Sequence, residues 1–229
     1  MMNKKIAMFT IAMVLLLGVT MGVTFALMTS TSETVTNTFV AGKFGDLTLD
    51  ESPVQKVNGT NNYVQATGNR ITANSYDLVP GAQLYKDPAV TFAYKNNATS
   101  GIAYYVFVEI IGGDGWTINS NSATYAVTDA NDESVNIITF NIDTTKWDKL
   151  DSVSDRNIYV YIGGETDGLL TTPLAQTDIF NSKTHTVNSD ATAEDMEKIT
   201  SDFTLIFNGY AAQAGTDAET TWTEAFANN

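Results

Sequence analysis

Short runs of β-branched and aromatic residues alternate with small or polar ones along most of the chain, and glycine- and asparagine-rich breaks separate them. Alternation with a period of two is the pattern of half-buried strands. It predicts strands over 37–49, 70–77, 89–94, 102–111, 122–127, 135–142, 157–162 and 203–211. Turn signals such as "VNGTNN", "VPGAQ", "KNNATSG", "GGDG" and "GGETDG" lie between them. "IAYYVFVEII", residues 102–111, is almost continuously apolar and predicts a central strand covered on at least one full face.

Two stretches break the period. In "TAEDMEKIT", Thr192 is placed to cap a helix, acids follow in the first turn, and Met196 and Ile199 stand one turn apart. In "TDAETTWTEAF", Trp222, Ala225 and Phe226 share one side, with acids at the end the helix dipole favours. Neither helix is long enough to found a second domain, and no repeat or proline-rich hinge divides the chain. The expectation is one all-β domain, a sandwich or barrel with two short helices.

The N-terminus reads differently. "MMNKK" is basic, and the twenty residues after it carry no charge. This is the layout of a signal peptide, 1–26, cut between Ala26 and Leu27. The apolar stretch approaches the length of a membrane span, so a retained anchor is the alternative. Gly18, Thr20, Gly22 and Thr24 thin its second half, and no basic cluster follows. Cleavage takes Lys4 and Lys5 away and leaves 10 basic against 26 acidic residues, a net charge near −16. Such a surface repels nucleic acid and anionic membranes. An exported chain with no cysteine must stand on its core alone.

Candidate chemistry is sparse. His185 is the only histidine, so no zinc site built from two or three histidines fits in one chain. HExxH, GxSxG and phosphate-cradling glycine loops are all missing from the sequence. His185 in "SKTHTVN" reads as a strand-surface residue. "TDANDES" gathers Asp129, Asn131, Asp132 and Glu133, the densest set of oxygen ligands, but lacks the glycine and distant glutamate of an EF-hand loop. It reads as a solvated turn, with weak calcium binding as the alternative and no other cofactor expected. A carboxylate pair for glycoside hydrolysis can converge from anywhere in a fold, and nothing local singles one out. Trp116, Trp147, Trp222 and ten tyrosines invite a carbohydrate platform, yet most sit in periodic segments where core packing is the commoner use.

Several stretches, in order, resemble the TasA/camelysin family of secreted biofilm-matrix fibre proteins. They are "TFALMTSTSETVTNTFVAG", "LTLDE", "LVPGAQLYKDPAVTF" with "AYYVFVEI", "PLAQTDIFNSKTHTV" with "TAEDMEKI", and the closing "GYAAQAGTDAETTWTEAF". The signal region also resembles those cut by a dedicated signal peptidase encoded with such proteins. The resemblance implies a jelly-roll β-sandwich over 39–229 that polymerises by donor-strand complementation, residues 27–38 of one subunit filling a vacancy in the next. Leu27, Met28, Thr29, Thr31 and Val35 are then the donor-strand contacts, the β-branched ones suiting an extended chain and Leu27, Met28 and Val35 acting as apolar anchors. The partners it implies are further copies of the chain, a minor accessory subunit and the signal peptidase.

The metalloprotease activity attached to the camelysin name finds no support in a chain with one histidine and no HExxH. Pro80-Gly81 suits a type II turn and Pro88 a strand start. Lys86 and Asp87 suit a subunit contact and a solvated turn equally. The expected function is a secreted, non-enzymatic fibre subunit. A monomeric surface adhesin or carbohydrate-binding module is the rival, and a hydrolase with an unrecognised acid pair the third reading.

Overall fold

The computed structural model describes residues 29–32, 44–129, 131–164, 167–199 and 203–226. These residues are mainly β, in several antiparallel sheets with two short α-helices. The largest sheet has five strands in the order β1 (Thr29–Ser32), β15 (Leu205–Gln213), β7 (Tyr104–Gly112), β12 (Ile158–Tyr161) and β11 (Trp147–Lys149). A second runs β13 (Leu174–Asp178), β6 (Ala89–Tyr94), β2 (Gly45–Asp50), and a third β10 (Ser134–Asn141), β9 (Ser122–Thr128), β8 (Trp116–Ile118). Two-stranded pairs join β14 (Thr184–Thr186) to β5 (Gln83–Tyr85), and β3 (Val54–Lys56) to β4 (Tyr63–Gln65).

The long apolar run forms β7, and its burial explains its composition. Tyr104, Val106, Val108 and Ile110 enter the main core with Leu47, Phe92, Phe140, Trp147 and Phe207. Tyr105 and Phe107 point the other way, into a smaller core closed by Trp222 and Phe226. The strand is therefore covered on both faces, one more than the sequence required. Helix α2 (Ala218–Phe226) supplies the second cover, with Trp222 and Phe226 buried as its spacing predicts. Helix α1 (Ala193–Glu197) starts at Thr192, whose side chain accepts from the Asp195 N–H while the Asp195 carboxylate accepts from the Thr192 N–H. This is a complete capping box with Asp in place of Glu.

Of the expected strands, 89–94 is β6 to the residue, and 102–111, 122–127, 135–142, 157–162 and 203–211 shift by a residue or two into β7, β9, β10, β12 and β15. Only 45–49 of the 37–49 expectation is seen, in β2, and 37–43 lie outside the described residues. The 70–77 strand does not form. That stretch makes one isolated bridge, Ile71 to Glu51, and its polar side chains are spent on backbone elsewhere. Asn74 accepts from the Val54 N–H (3.1 Å) and donates to the Ser52 carbonyl (2.9 Å), and the Tyr76 hydroxyl donates to the Tyr85 carbonyl (2.7 Å). The turn at Pro80-Gly81 forms as expected, with the Ala82 N–H on the Val79 carbonyl (2.9 Å) and Gly81 at φ 76°.

Candidate functional site

Strand β15 carries the site. On one side it pairs with β7 over its whole length, from Leu205 opposite Gly112 to Gln213 opposite Tyr104. On the other side β1 pairs with its later half: Thr29 stands opposite Ala212, Ser30 opposite Ala211, Thr31 opposite Tyr210 and Ser32 opposite Gly209. Strand β1 thus forms the edge of the five-stranded sheet. The segment the sequence left without a partner has one in its own chain.

Strand β2 closes over the same edge from the second layer. A Cβ on Gly209 would meet Leu47 Cδ2 at 3.2 Å and Leu49 Cδ1 at 3.5 Å, so glycine lets the two layers approach here. Phe44 packs on Tyr104, ring centroids 5.7 Å apart, at the level of Gln213. Leu49, Asp50 and Glu51 share a cavity wall with Leu205, Ile206 and Phe207 at the other end. Strand β2 therefore runs against β15, in the same direction as β1. Neighbouring strands that run the same way cannot be joined by a tight hairpin. We expect Gly209→Val to cost about 1–3 kcal/mol through overpacking and to displace β1. Denaturant midpoints would register the first effect, and amide exchange of Thr29–Ser32 the second.

The outer face of the same strands is held by a charged cluster. Glu109, buried on β7, takes two bonds from Arg156, Nε to Oε1 at 2.7 Å and Nη2 to Oε2 at 2.9 Å. The Tyr210 hydroxyl (2.8 Å) and Asn208 Nδ2 (3.2 Å) also donate to Oε2. Burial alone would raise the Glu109 pKa, but these donors outweigh it and hold the carboxyl below its ordinary range. Burial, helped by the neighbouring carboxylate, pushes Tyr210 up to about 12. Tyr210 stands opposite Thr31, so the cluster rigidifies β15 where β1 attaches.

At the far end of β2 lies a second network, and it corrects the reading of Lys86 and Asp87 as a solvated turn. Asp87 is 2% exposed. It accepts from the Ser52 N–H (2.7 Å), the Ser52 hydroxyl (2.8 Å), Arg70 Nη1 (3.0 Å) and the Tyr85 hydroxyl (3.2 Å). Burial would raise its pKa, and the Ser52 and Arg70 donors reverse that. Arg70 also binds the Asp50 carboxylate and the carbonyls of Asp50 (2.8 Å) and Asp87 (2.7 Å). Lys86 Nζ meets buried Glu51 at 2.8 Å. The pairs nail the end of β2 to the start of β6, with Pro88 at the strand entrance.

Of the sites expected from sequence, Thr29 and Thr31 lie in β1, while Ala26, Leu27, Met28 and Val35 lie outside the described residues. His185 is not on a strand surface. It is 5% exposed, its ring 4.6 Å from Phe140 and 5.4 Å from Phe180, and burial lowers its pKa to about 4. Asp129 uses its carboxylate on its own turn, accepting from the N–H of Asn131 (2.7 Å) and of Glu133 (2.8 Å). Asn131, Asp132 and Glu133 complete that β9–β10 connection. Among the described residues, no group of three or more His, Cys, Asp or Glu side chains is arranged to hold a metal ion. Trp147 and Trp222 are buried in the two cores and offer no platform. Among the described residues, no helix is long and apolar enough to cross a membrane. Comparison with protein-family models, curated proteins and solved structures finds no match for this chain.

Proposed function

We propose that the protein is a secreted structural subunit whose jelly-roll sandwich polymerises by donor-strand complementation into extracellular biofilm-matrix fibres. One observation carries the reading: the segment just after the expected cleavage point is an edge strand, β1, attached along one side of β15. Edge strands are the elements most readily exchanged between copies. In an isolated subunit β1 occupies its own β15, and in a fibre the same register is filled by the next copy.

The chain order supports this. Strands β1 and β2 run the same way, and Ser32 and Phe44 stand about four strand positions apart along β15, about 14 Å. Eleven residues separate those two ends in the sequence, a number whose greatest reach, about 40 Å, allows β1 to pair within its own copy or with a neighbour's. The two-layer packing of β2 and β6 against β7 and β15 supports a sandwich of jelly-roll type. The high negative charge makes self-association depend on salt and pH.

Negative-stain electron microscopy of residues 27–229, beside the same protein without 27–36, tests the reading. Filaments from the first and only monomers from the second are expected. Monomers from both across salt and pH would remove the fibre reading.

A further inference from the structure

The dipeptide Asn-Gly occurs twice, at Asn58-Gly59 and Asn208-Gly209. In this dipeptide the asparagine side chain is open to attack by the next main-chain nitrogen, because glycine carries no Cβ to shield it. The fold places the two copies in opposite surroundings.

The first copy is the tip of the β3–β4 ribbon. The Thr60 N–H bonds to the Val57 carbonyl (3.0 Å) and closes a turn with Asn58 and Gly59 as its central residues, Gly59 at φ 76°. Both residues are exposed. Among the described residues, neither the Asn58 side chain nor the Gly59 N–H has a hydrogen-bond partner. A Cβ built on Gly59 would meet nothing within 4 Å. The nitrogen is therefore reachable, and rotation at Asn58 brings its Cγ onto that nitrogen without moving a packed neighbour.

The second copy lies inside β15, between β7 and β1. Asn208 stands opposite Glu109 and Gly209 opposite Val108. Asn208 Nδ2 donates to Glu109 Oε2 (3.2 Å), and Leu47 Cδ2 lies 3.2 Å from the place of a Gly209 Cβ. A strand flanked on both sides is held extended, and must open locally before a ring can form across it.

We propose that Asn58-Gly59 is a site of spontaneous modification in the folded protein, its asparagine converting to aspartate and isoaspartate, and that the fold protects Asn208-Gly209. The Gly59 nitrogen gives up its proton and bonds to Asn58 Cγ. The Cγ–Nδ2 bond breaks, and ammonia leaves with that proton. Water from the solvent then opens the five-membered imide. Opening at the side-chain carbonyl gives aspartate; opening at the main-chain carbonyl gives isoaspartate, with the chain rerouted through the side chain. Neither step is a redox change, and each product adds one negative charge to the turn. The site needs nothing from the fibre reading.

The test keeps residues 27–229 in mildly alkaline buffer at body temperature, folded in one arm and in denaturant in the other. Peptides are then read by mass spectrometry with fragmentation that separates isoaspartate from aspartate. Both asparagines should convert in denaturant. In the folded arm Asn58 should convert, and Asn208 at least about a hundredfold more slowly, the suppression that about 2.7 kcal/mol of opening free energy imposes. Asn58→Gln, whose longer side chain needs a six-membered ring, should remove the acidic species that accumulates in the folded arm on isoelectric focusing. Its unfolding midpoint should match wild type. An Asn58 that stays intact in the folded arm while the denatured arm converts would overturn the proposal. So would equal folded rates at Asn58 and Asn208, or an acidic species undiminished in Asn58→Gln.

Discussion

Replacing Asp87 by alanine is expected to cost about 3–5 kcal/mol, the range for removing one member of a buried charge pair. The side chain is almost wholly enclosed and serves four donors from three residues, on β5, on the 70–77 segment and at the end of β2. Without it the Ser52 N–H and hydroxyl lose their acceptor, and Arg70 keeps only Asp50 as a counter-charge. Total stabilities of single domains are about 5–15 kcal/mol, so the variant should lose a large part of its margin. The denaturation midpoint should fall sharply with little change in the slope of the transition. A loss below 1 kcal/mol would mean the network is solvated and does not lock β2 to β6.

The second large effect is a dependence of stability on pH centred on His185. In the unfolded chain its ring takes a proton near its ordinary pKa of 6.5; in the fold, burial lowers this to about 4. Between those values the unfolded state binds more protons, so stability falls as the pH drops from about 6.5 towards 4. The whole window amounts to on the order of 3 kcal/mol. Below it the slope from His185 vanishes. Asp87 and Glu109, whose folded pKa values are lowered from 3.8 and 4.5, lose their contribution as the pH falls from those ordinary values, so only the start of the Glu109 loss overlaps the foot of the His185 window. His185→Leu should flatten the curve between pH 6.5 and 4.5, whatever its baseline stability. An unchanged slope in that variant would assign the pH dependence to other groups.

The sequence and the fold agree where one rule acts alone. Strand β6 alternates buried and half-buried residues from Val90 to Tyr94, and burial alone decides it. They part where side chains compete for the backbone. The 70–77 stretch has strand-like residues, yet Asn74 and Tyr76 satisfy distant main-chain groups, and the ladder never forms. The three-residue strands β3, β4, β5, β8, β11 and β14 are too short to show a period, and β5 begins inside what reads as a turn.

The site was legible only in part. The lone acid in "YYVFVEIIG" was a visible signal of a buried pair, but Arg156, 47 residues on, cannot be chosen from the other bases by spacing. His185 alternates with Thr184 and Thr186 on β14, and that period allowed an inward histidine as readily as a surface one; only the rings of Phe140 and Phe180 decide it. Gly209 matters for what sits above it, and no local pattern reports that. Strand β1 is short and polar, so its place on β15 depends on an edge that only the assembled sheet creates.

The absence of cysteine makes the decisive measurement clean. Two single variants of residues 27–229, Ser30→Cys and Ala211→Cys, place thiols at positions paired across β1 and β15. Mixed under assembly conditions and oxidised, they should yield disulfide-linked heterodimers if, as proposed, β1 of one copy lies on β15 of another in the fibre. The double variant in dilute solution should close within one chain. If the mixture gives no heterodimer while the double variant closes internally under every assembly condition, β1 belongs only to its own subunit, and the account of strand exchange is wrong.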